Sequence, residues 1–255
     1  KRPVLINNWE ATYFDFDNEK LFPIIDEAAN LGLDMFVLDD GWFGARNLDD
    51  KGLGDWFVNE NKLKGGLDTI INHCKEKGLK FGLWFEPEMV NPDSDMCRAH
   101  PDWVLKPTAN RLPMQGRTQQ VVDLTNPDAY AYIYGAMDKL VGELGIDYIK
   151  WDHNKYVTEA VSPRTGRPAV HNQTLAVYRI FTDLKAAHPG LEIESCSSGG
   201  NRFDCGMLWF SPQIWCSDDT DPVERLRIQQ SLSFLYPPSC FGTHVSASPH
   251  AQTLR

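Results

Sequence analysis

Met35-Phe36-Val37-Leu38-Asp39-Asp40-Gly41-Trp42 is the stretch that decides the fold. Four apolar residues run straight into two carboxylates, a glycine and a tryptophan. An apolar run this short reads as a strand buried on both faces, as in a parallel sheet, with the carboxylates at its C-terminal end. The pattern recurs. Phe81-Gly82-Leu83 leads into Trp84-Phe85-Glu86-Pro87-Glu88, Tyr148-Ile149 into Lys150-Trp151-Asp152, Ile193-Glu194 into Ser195-Cys196-Ser197, and Ile214-Trp215 into Cys216-Ser217-Asp218-Asp219. Helical stretches separate these runs. Strand ends that each carry reactive groups gather at one face of a (β/α) barrel, so the fold class is α/β and the architecture a TIM (β/α)8 barrel.

Working outward, Val4-Leu5-Ile6 before Asn7-Asn8-Trp9 reads as a first strand with a polar end. Glu19 to Leu31 carries Leu21, Ile24, Ile25 and Ala28 on one helical stripe, and Gly32 stops it. The Gly44 to Gly66 segment, rich in Gly, Asp and Asn, reads as a long functional βα loop. Further helices are expected over Leu67 to Lys77, from Pro127 to about Leu144 ahead of Gly145, over Asn172 to His188, and over Glu224 to Leu235. Gly242 to Ser246 reads as one more short strand. Gln119 to Leu124 decides the count: eight strands with it, seven without. The seven-strand count predicts a barrel truncated before its last βα unit, with the first strand and the Thr243 to Ser246 strand as unpaired edges.

The 255 residues, 42% hydrophobic and 24% charged, suit one globular domain with one large core. A net charge of −10 argues against nucleic acid and anionic membranes, both of which want a basic face. No run of about 18 apolar residues is present, and no signal peptide is recognisable, although the chain opens on Lys1 and not on Met. Six cysteines without a C-x-x-C pair read as reduced thiols in a cytoplasmic protein and offer no zinc signature.

Carboxylates set among aromatic rings suit an uncharged ligand rich in hydroxyls, that is, a sugar. Cleaving a glycosidic bond takes two carboxyl groups, and Asp152 and Asp218 each directly follow a buried run. Lys150, two residues before Asp152 on the same strand, points the same way, and its charge keeps a nearby carboxylate ionised, as a nucleophile requires. Asp218 has Asp219 and Asp221 beside it, and like charges favour the protonated form that a general acid needs. A helix cap is the plainer reading of any single aspartate before a helix. Asp39 and Asp40 could hold magnesium, but no histidine lies near them, and sugar hydroxyls are the better match. Trp9, Trp42, Trp84, Trp151 and Trp215 also stand at strand ends, with Trp151 alternating into the core. Phosphate-loop, dinucleotide and G-x-S-x-G signatures are absent, and no cofactor or metal is expected.

Taken together, the segments VLDDGWFG, GLWFEPEMV, DYIKWDHNK, ESCSSGG, NRFDCGM, PQIWCSDDTDP and GTHVSASPHAQT resemble the catalytic domain of glycoside hydrolase family 36, the bacterial α-galactosidases. They run in order from Asn7 to near the C-terminus. The resemblance implies a retaining mechanism with Asp152 as nucleophile and Asp218 as acid/base. It implies that Asp39 and Asp40 hold the galactose hydroxyls farthest from the anomeric carbon. Trp84, Arg117, Lys150, Asn154, Cys196 and Gly199 would line the same pocket, with Trp9 and Trp215 at its wall.

By the same resemblance the substrate is an α-galactoside oligosaccharide such as melibiose or raffinose. Residues 1–255 would be the catalytic barrel, without the flanking β-sandwich domains of the family and without the eighth strand. The full-length protein would be a homo-oligomer that binds neither nucleic acid nor membrane. Two alternatives stay open: a related α-glycoside enzyme, acting on N-acetylated galactosides or transferring galactosyl groups, and a sugar-binding protein without turnover.

Overall fold

A computed structural model describes residues 2–108 and 110–246. Six parallel strands form one curled sheet whose spatial order follows the chain: β1 (Leu5–Asn7), β2 (Met35–Leu38), β3 (Lys80–Phe85), β4 (Tyr148–Trp151), β5 (Glu192–Ser195) and β6 (Gln213–Ile214). The helices are α1 (Trp9–Thr12), α2 (Asn18–Asn30), α3 (Gly66–Glu76), α4 (Asp95–Ala99), α5 (Pro127–Leu144), α6 (Val170–Ala187), α7 (Cys205–Phe210) and α8 (Pro222–Ser233). None among the described residues is long and apolar enough to cross a membrane.

Alternation along the strands divides the core in two. Phe36 and Leu38, Phe81, Leu83 and Phe85, Ile149 and Trp151, and Ile193 pack with the helices in the large cluster. Met35, Val37 and Tyr148, with Leu5 against them, form a small separate cluster on the inner face. Gly82 belongs to that inner face, where an added Cβ would meet Tyr148 and Val37 side chains at 3.0 Å. A full-sized residue there would separate β3 from its neighbours.

The helices end where local chemistry ends them. Asn126 caps α5 by accepting the Asp128 N–H, Pro127 occupies its first turn, and Gly145 closes it at φ 66°. Asp17 caps α2 through the Lys20 N–H, one residue earlier than the apolar stripe suggests.

Gln119 to Leu124, left open by the sequence between barrel strand and loop strand, does not join the sheet: only Gln120–Val121 is extended, paired antiparallel with Met89–Val90. Its remaining polar groups are taken by Leu105 N–H on Val121 O and by Val122 N–H on Glu88 O, so neighbouring loops use what a barrel strand would need. Gly242 to Ser246 forms no strand either. The contact comes earlier, as a single bridge from Ile214 to Phe241, because β6 offers only two residues to pair. The short helices α4 and α7 were not expected from the sequence.

No backbone hydrogen bond joins β1 to residues 242–246 among the described residues. Side chains meet instead: His244 Nε2 lies 3.3 Å from Glu10 Oε2, and Arg2 reaches Gln213 and the Pro212 carbonyl. The described strands make an open sheet, not a closed barrel.

Candidate active site

The inner-face parity continues past the strand ends and builds the site. Counting on by two from Met35 and Val37 reaches Asp39, from Gly82 reaches Trp84, and from Tyr148 reaches Lys150 and Asp152. Glu194 and Cys196 follow the same count, and the register sets Lys150 opposite Trp84 on one side and Glu194 on the other.

Asp152 is 8% exposed and surrounded by donors. Asn154 Nδ2 donates to its Oδ2 at 2.8 Å, Trp84 Nε1 to the same oxygen at 3.3 Å, and the His153 N–H to Oδ1 at 2.8 Å. Burial alone would raise this carboxyl. The charge of Lys150, the bonds from Asn154 and His153, and one from the Cys196 thiol outweigh it and hold Asp152 below the usual carboxylate range. It is therefore an anion in a nearly dry pocket. The same burial pushes the Cys196 thiol well up, so Cys196 stays protonated and donates.

Lys150 Nζ donates to Asp39 Oδ2 at 2.7 Å. Burial would lower the ammonium, but the Asp39 charge beside it carries it above its ordinary value. Asn7 Nδ2 also donates to Asp39 Oδ2, at 2.5 Å, and the Asp40 N–H donates to Oδ1.

Asp40 has the opposite parity and a different partner. Arg46 grips it with Nε at 2.9 Å from Oδ1 and Nη2 at 2.8 Å from Oδ2, and both side chains are buried. Burial raises the Asp40 carboxyl, opposed by Arg46. Arg46 is tied down in turn by Asn91 Oδ1 at 3.0 Å and the Asp49 carbonyl at 2.8 Å. Asp40 reaches any ligand only with those lone pairs that Arg46 leaves free.

Asp218 stands on the loop after β6, where Trp215 Nε1 donates to its Oδ1 at 2.8 Å. Asp219 and Asp221 have backbone partners of their own. Asp219 accepts the Asp221 N–H, and Asp221 caps α8 through Val223 and Glu224, so these two obey the capping reading. Gly199 explains how this loop sits down on the β5 loop. It has φ +82°, and a Cβ there would meet Asp218 N and Ser217 Cα at 2.9 Å. The close approach is thus by the backbone that carries Asp218. The adjoining Ser198 holds φ 44°, and Arg117 and Thr118 hold φ 53° and 57°, so the loops around the site carry unusual backbone.

Arg117 joins the cluster through a relay. Its Nη1 reaches Ser198 Oγ at 3.4 Å, Ser198 Oγ donates to Asn154 Oδ1 at 2.8 Å, and Asn154 donates to Asp152. Trp84, Asn154 and Cys196 are bonded around Asp152, while Lys150 and Asn7 are bonded to Asp39, and Lys150 acts on Asp152 by charge. Trp9 opens α1, packs edge-on against Tyr13 and Phe14, and joins the Asp39 group at one remove, by its N–H on Asn7 Oδ1 at 2.8 Å.

Sequence reading missed Arg46, Asn7 and Glu86 as parts of the site. Glu86 is wholly buried, its Oε1 accepting the Asn154 N–H at 2.5 Å and its Oε2 lying 3.0 Å from Gln119 Nε2. Burial, and then the Asp152 charge, push it up to about 8, so it is a neutral acid at the foot of the site. Its signal was available: Glu86 lies two residues beyond Trp84 on the inner-face count. No group of three or more His, Cys, Asp or Glu among the described residues is arranged to hold a metal.

The Melibiase family model matches residues 1–255. The chain is 48% identical over 259 aligned residues to α-galactosidase AgaA of Geobacillus stearothermophilus, covering 100% of this chain and 35% of that protein. The α-galactosidase of Lactobacillus brevis superposes with a TM-score of 0.94 at 47% identity, over 100% of this chain and 35% of that one. A substituted form of AgaA in complex with raffinose superposes at 0.93, with 47% identity and coverage of 100% and 36%. The chain thus spans about a third of the length of the relatives it matches.

Proposed function

The chain belongs to the Melibiase family, and on that premise we propose that it is the catalytic barrel of a retaining α-galactosidase. The observation that carries this reading is Asp152: a carboxylate at the end of an inner-face strand, nearly dry yet held ionised by Lys150, Asn154 and Cys196. In the first step an Asp152 oxygen attacks the anomeric carbon while the glycosidic oxygen departs with the proton of Asp218. In the second, Asp218 takes a proton from water, the resulting hydroxide displaces Asp152, and galactose leaves with its α configuration. Asp39 and Asp40 accept from the galactose hydroxyls remote from the anomeric carbon, Lys150 and Asn154 donate to others, and Trp84 offers an apolar wall.

The substrates we propose are α-galactoside oligosaccharides such as melibiose and raffinose, in keeping with the relative crystallised with raffinose. The parent protein would carry further β-sandwich domains and the missing part of the barrel. Trp209, Leu226, Phe234 and Leu235 stand exposed, a surface that those parts or a second copy would cover. Six free cysteines suit a reducing cytoplasm. The test is raffinose hydrolysis by the full-length protein, followed by NMR of the anomeric protons. Galactose appearing first as the α-anomer supports the proposal; β-anomer first, or no release, overturns it.

A further inference from the structure

Arg225, one turn into α8, is 3% exposed, an expensive place for a guanidinium. The partners of its side chain, by hydrogen bond and by ring contact, lie just ahead of Asp218. Its Nη1 donates to the Ser217 carbonyl at 2.9 Å and to Cys216 Sγ at 3.3 Å, and its Cζ lies 4.7 Å from the centre of the Trp215 ring. Nε and Nη2 bond nothing among the described residues. The Trp215 ring it stacks on is the one whose Nε1 donates to Asp218.

The loop's other tethers are made by side chains: Cys216 Sγ lies 3.8 Å from the Gly242 carbonyl, Ser246 Oγ donates to the Thr220 carbonyl at 3.4 Å, and Ser217 Oγ and Asp219 Oδ1 accept from N–H groups two residues on. None but Arg225 reaches Trp215, Cys216 and Ser217 together. Trp215 N–H still bonds Ser195 O as part of the sheet, but residues 216–220 make no backbone–backbone hydrogen bond among the described residues. Gly199 and Gly200 supply contact from below, not direction. The flat face of the guanidinium and its Nη1 together hold three consecutive residues, which a lysine ammonium, without a flat face, cannot do in the same way.

We propose that Arg225 is the positioning residue of the acid/base: it holds the Trp215–Ser217 segment so that the Asp218 carboxyl is aimed at the glycosidic oxygen. The inference rests on Asp218 being the acid/base. Leaving-group dependence tests it, because a sugar alcohol must be protonated to leave and a dinitrophenolate need not be. In the full-length enzyme, Arg225→Met should lower kcat/KM for melibiose roughly 10–100-fold. The value for 2,4-dinitrophenyl α-galactoside should fall less than about threefold, since general-acid help is what was lost. Arg225→Lys, which keeps the charge and serves if the Met variant melts early, should show the same split, smaller. Guanidinium ion should partly restore Arg225→Ala.

Asp218→Ala is the benchmark. If it shows no leaving-group split, Asp218 is not the acid/base. If it does, and the Arg225 variants lose both substrates equally or neither, Arg225 only supports the fold and the proposal fails.

Discussion

Lys150 Nζ stands 2.7 Å from Asp39 Oδ2 and ties the second strand of the sheet to the fourth at the mouth of its inner face. One ammonium thereby counters two buried anions, Asp39 by contact and Asp152 by charge. The acidity of Asp152 depends on a residue two positions before it on its own strand.

Replacing Lys150 by Met should therefore move the acidic limb of activity. As the proposed nucleophile, Asp152 must be ionised to attack, so activity should be lost as pH falls through its pKa, which lies below the ordinary 3.8. Removing the cation disfavours the ionised form and raises that pKa, so the limb shifts to higher pH. A profile of kcat/KM against pH checks the sign; an unmoved limb would show that Lys150 does not set the acidity.

Gly199→Ala should cost activity more than stability. An alanine at φ +82° carries about 1–3 kcal/mol of strain. Its Cβ would also press on Asp218 N and Ser217 Cα, displacing the loop of the proposed acid/base. A fall in kcat of roughly 100-fold with a modest change in KM is expected, measured on an oligosaccharide substrate. Wild-type kcat would contradict the close approach.

Much of this was legible in the chain, and the reasons are local. Helix α5 falls where it was expected because Pro127 and Gly145 punctuate it. Asp152 was picked out because it directly follows a buried run, and Lys150 by counting back two residues along the same strand. Arg46 was not, because it lies in a long loop without periodicity, and its pairing with Asp40 is decided by tertiary packing. Gly199 was placed in the pocket by the resemblance, but its packing against the backbone of Ser217 and Asp218 comes from a loop distant in sequence and has no local signal. Gln119 to Leu124 has the apolar character of a strand, yet loops claim its hydrogen bonds, a competition invisible in one segment read alone.

Breaking the Asp40–Arg46 pair should destabilise as well as inactivate. Arg46→Met leaves a buried carboxylate alone, at a cost of about 3–5 kcal/mol by denaturant melts. Asp40→Asn, which keeps the shape, should retain more stability and still lose at least about tenfold in kcat/KM through weakened sugar bonds. A chelator should change neither; restoration of lost activity by a divalent ion would mean that Asp39 and Asp40 hold metal.

Glu86 gives a pH signature in stability. Its pKa rises from 4.5 to about 8 on folding, so between those values the folded state keeps a proton that the unfolded state has released. Stability then falls as pH rises through that window. Glu86→Gln, which resembles the neutral acid, should flatten the fall, as read from melting temperatures at several pH values. An unchanged slope would mean that other groups cause it.

Covalent trapping tests the central claim most directly. The full-length enzyme is incubated with a fluorinated α-galactosyl substrate whose intermediate forms faster than it breaks down, then digested and sequenced by mass spectrometry. The account predicts one galactosyl adduct, on Asp152. An adduct on Asp218, Asp40 or any other carboxylate, with Asp152 unmodified, would contradict it.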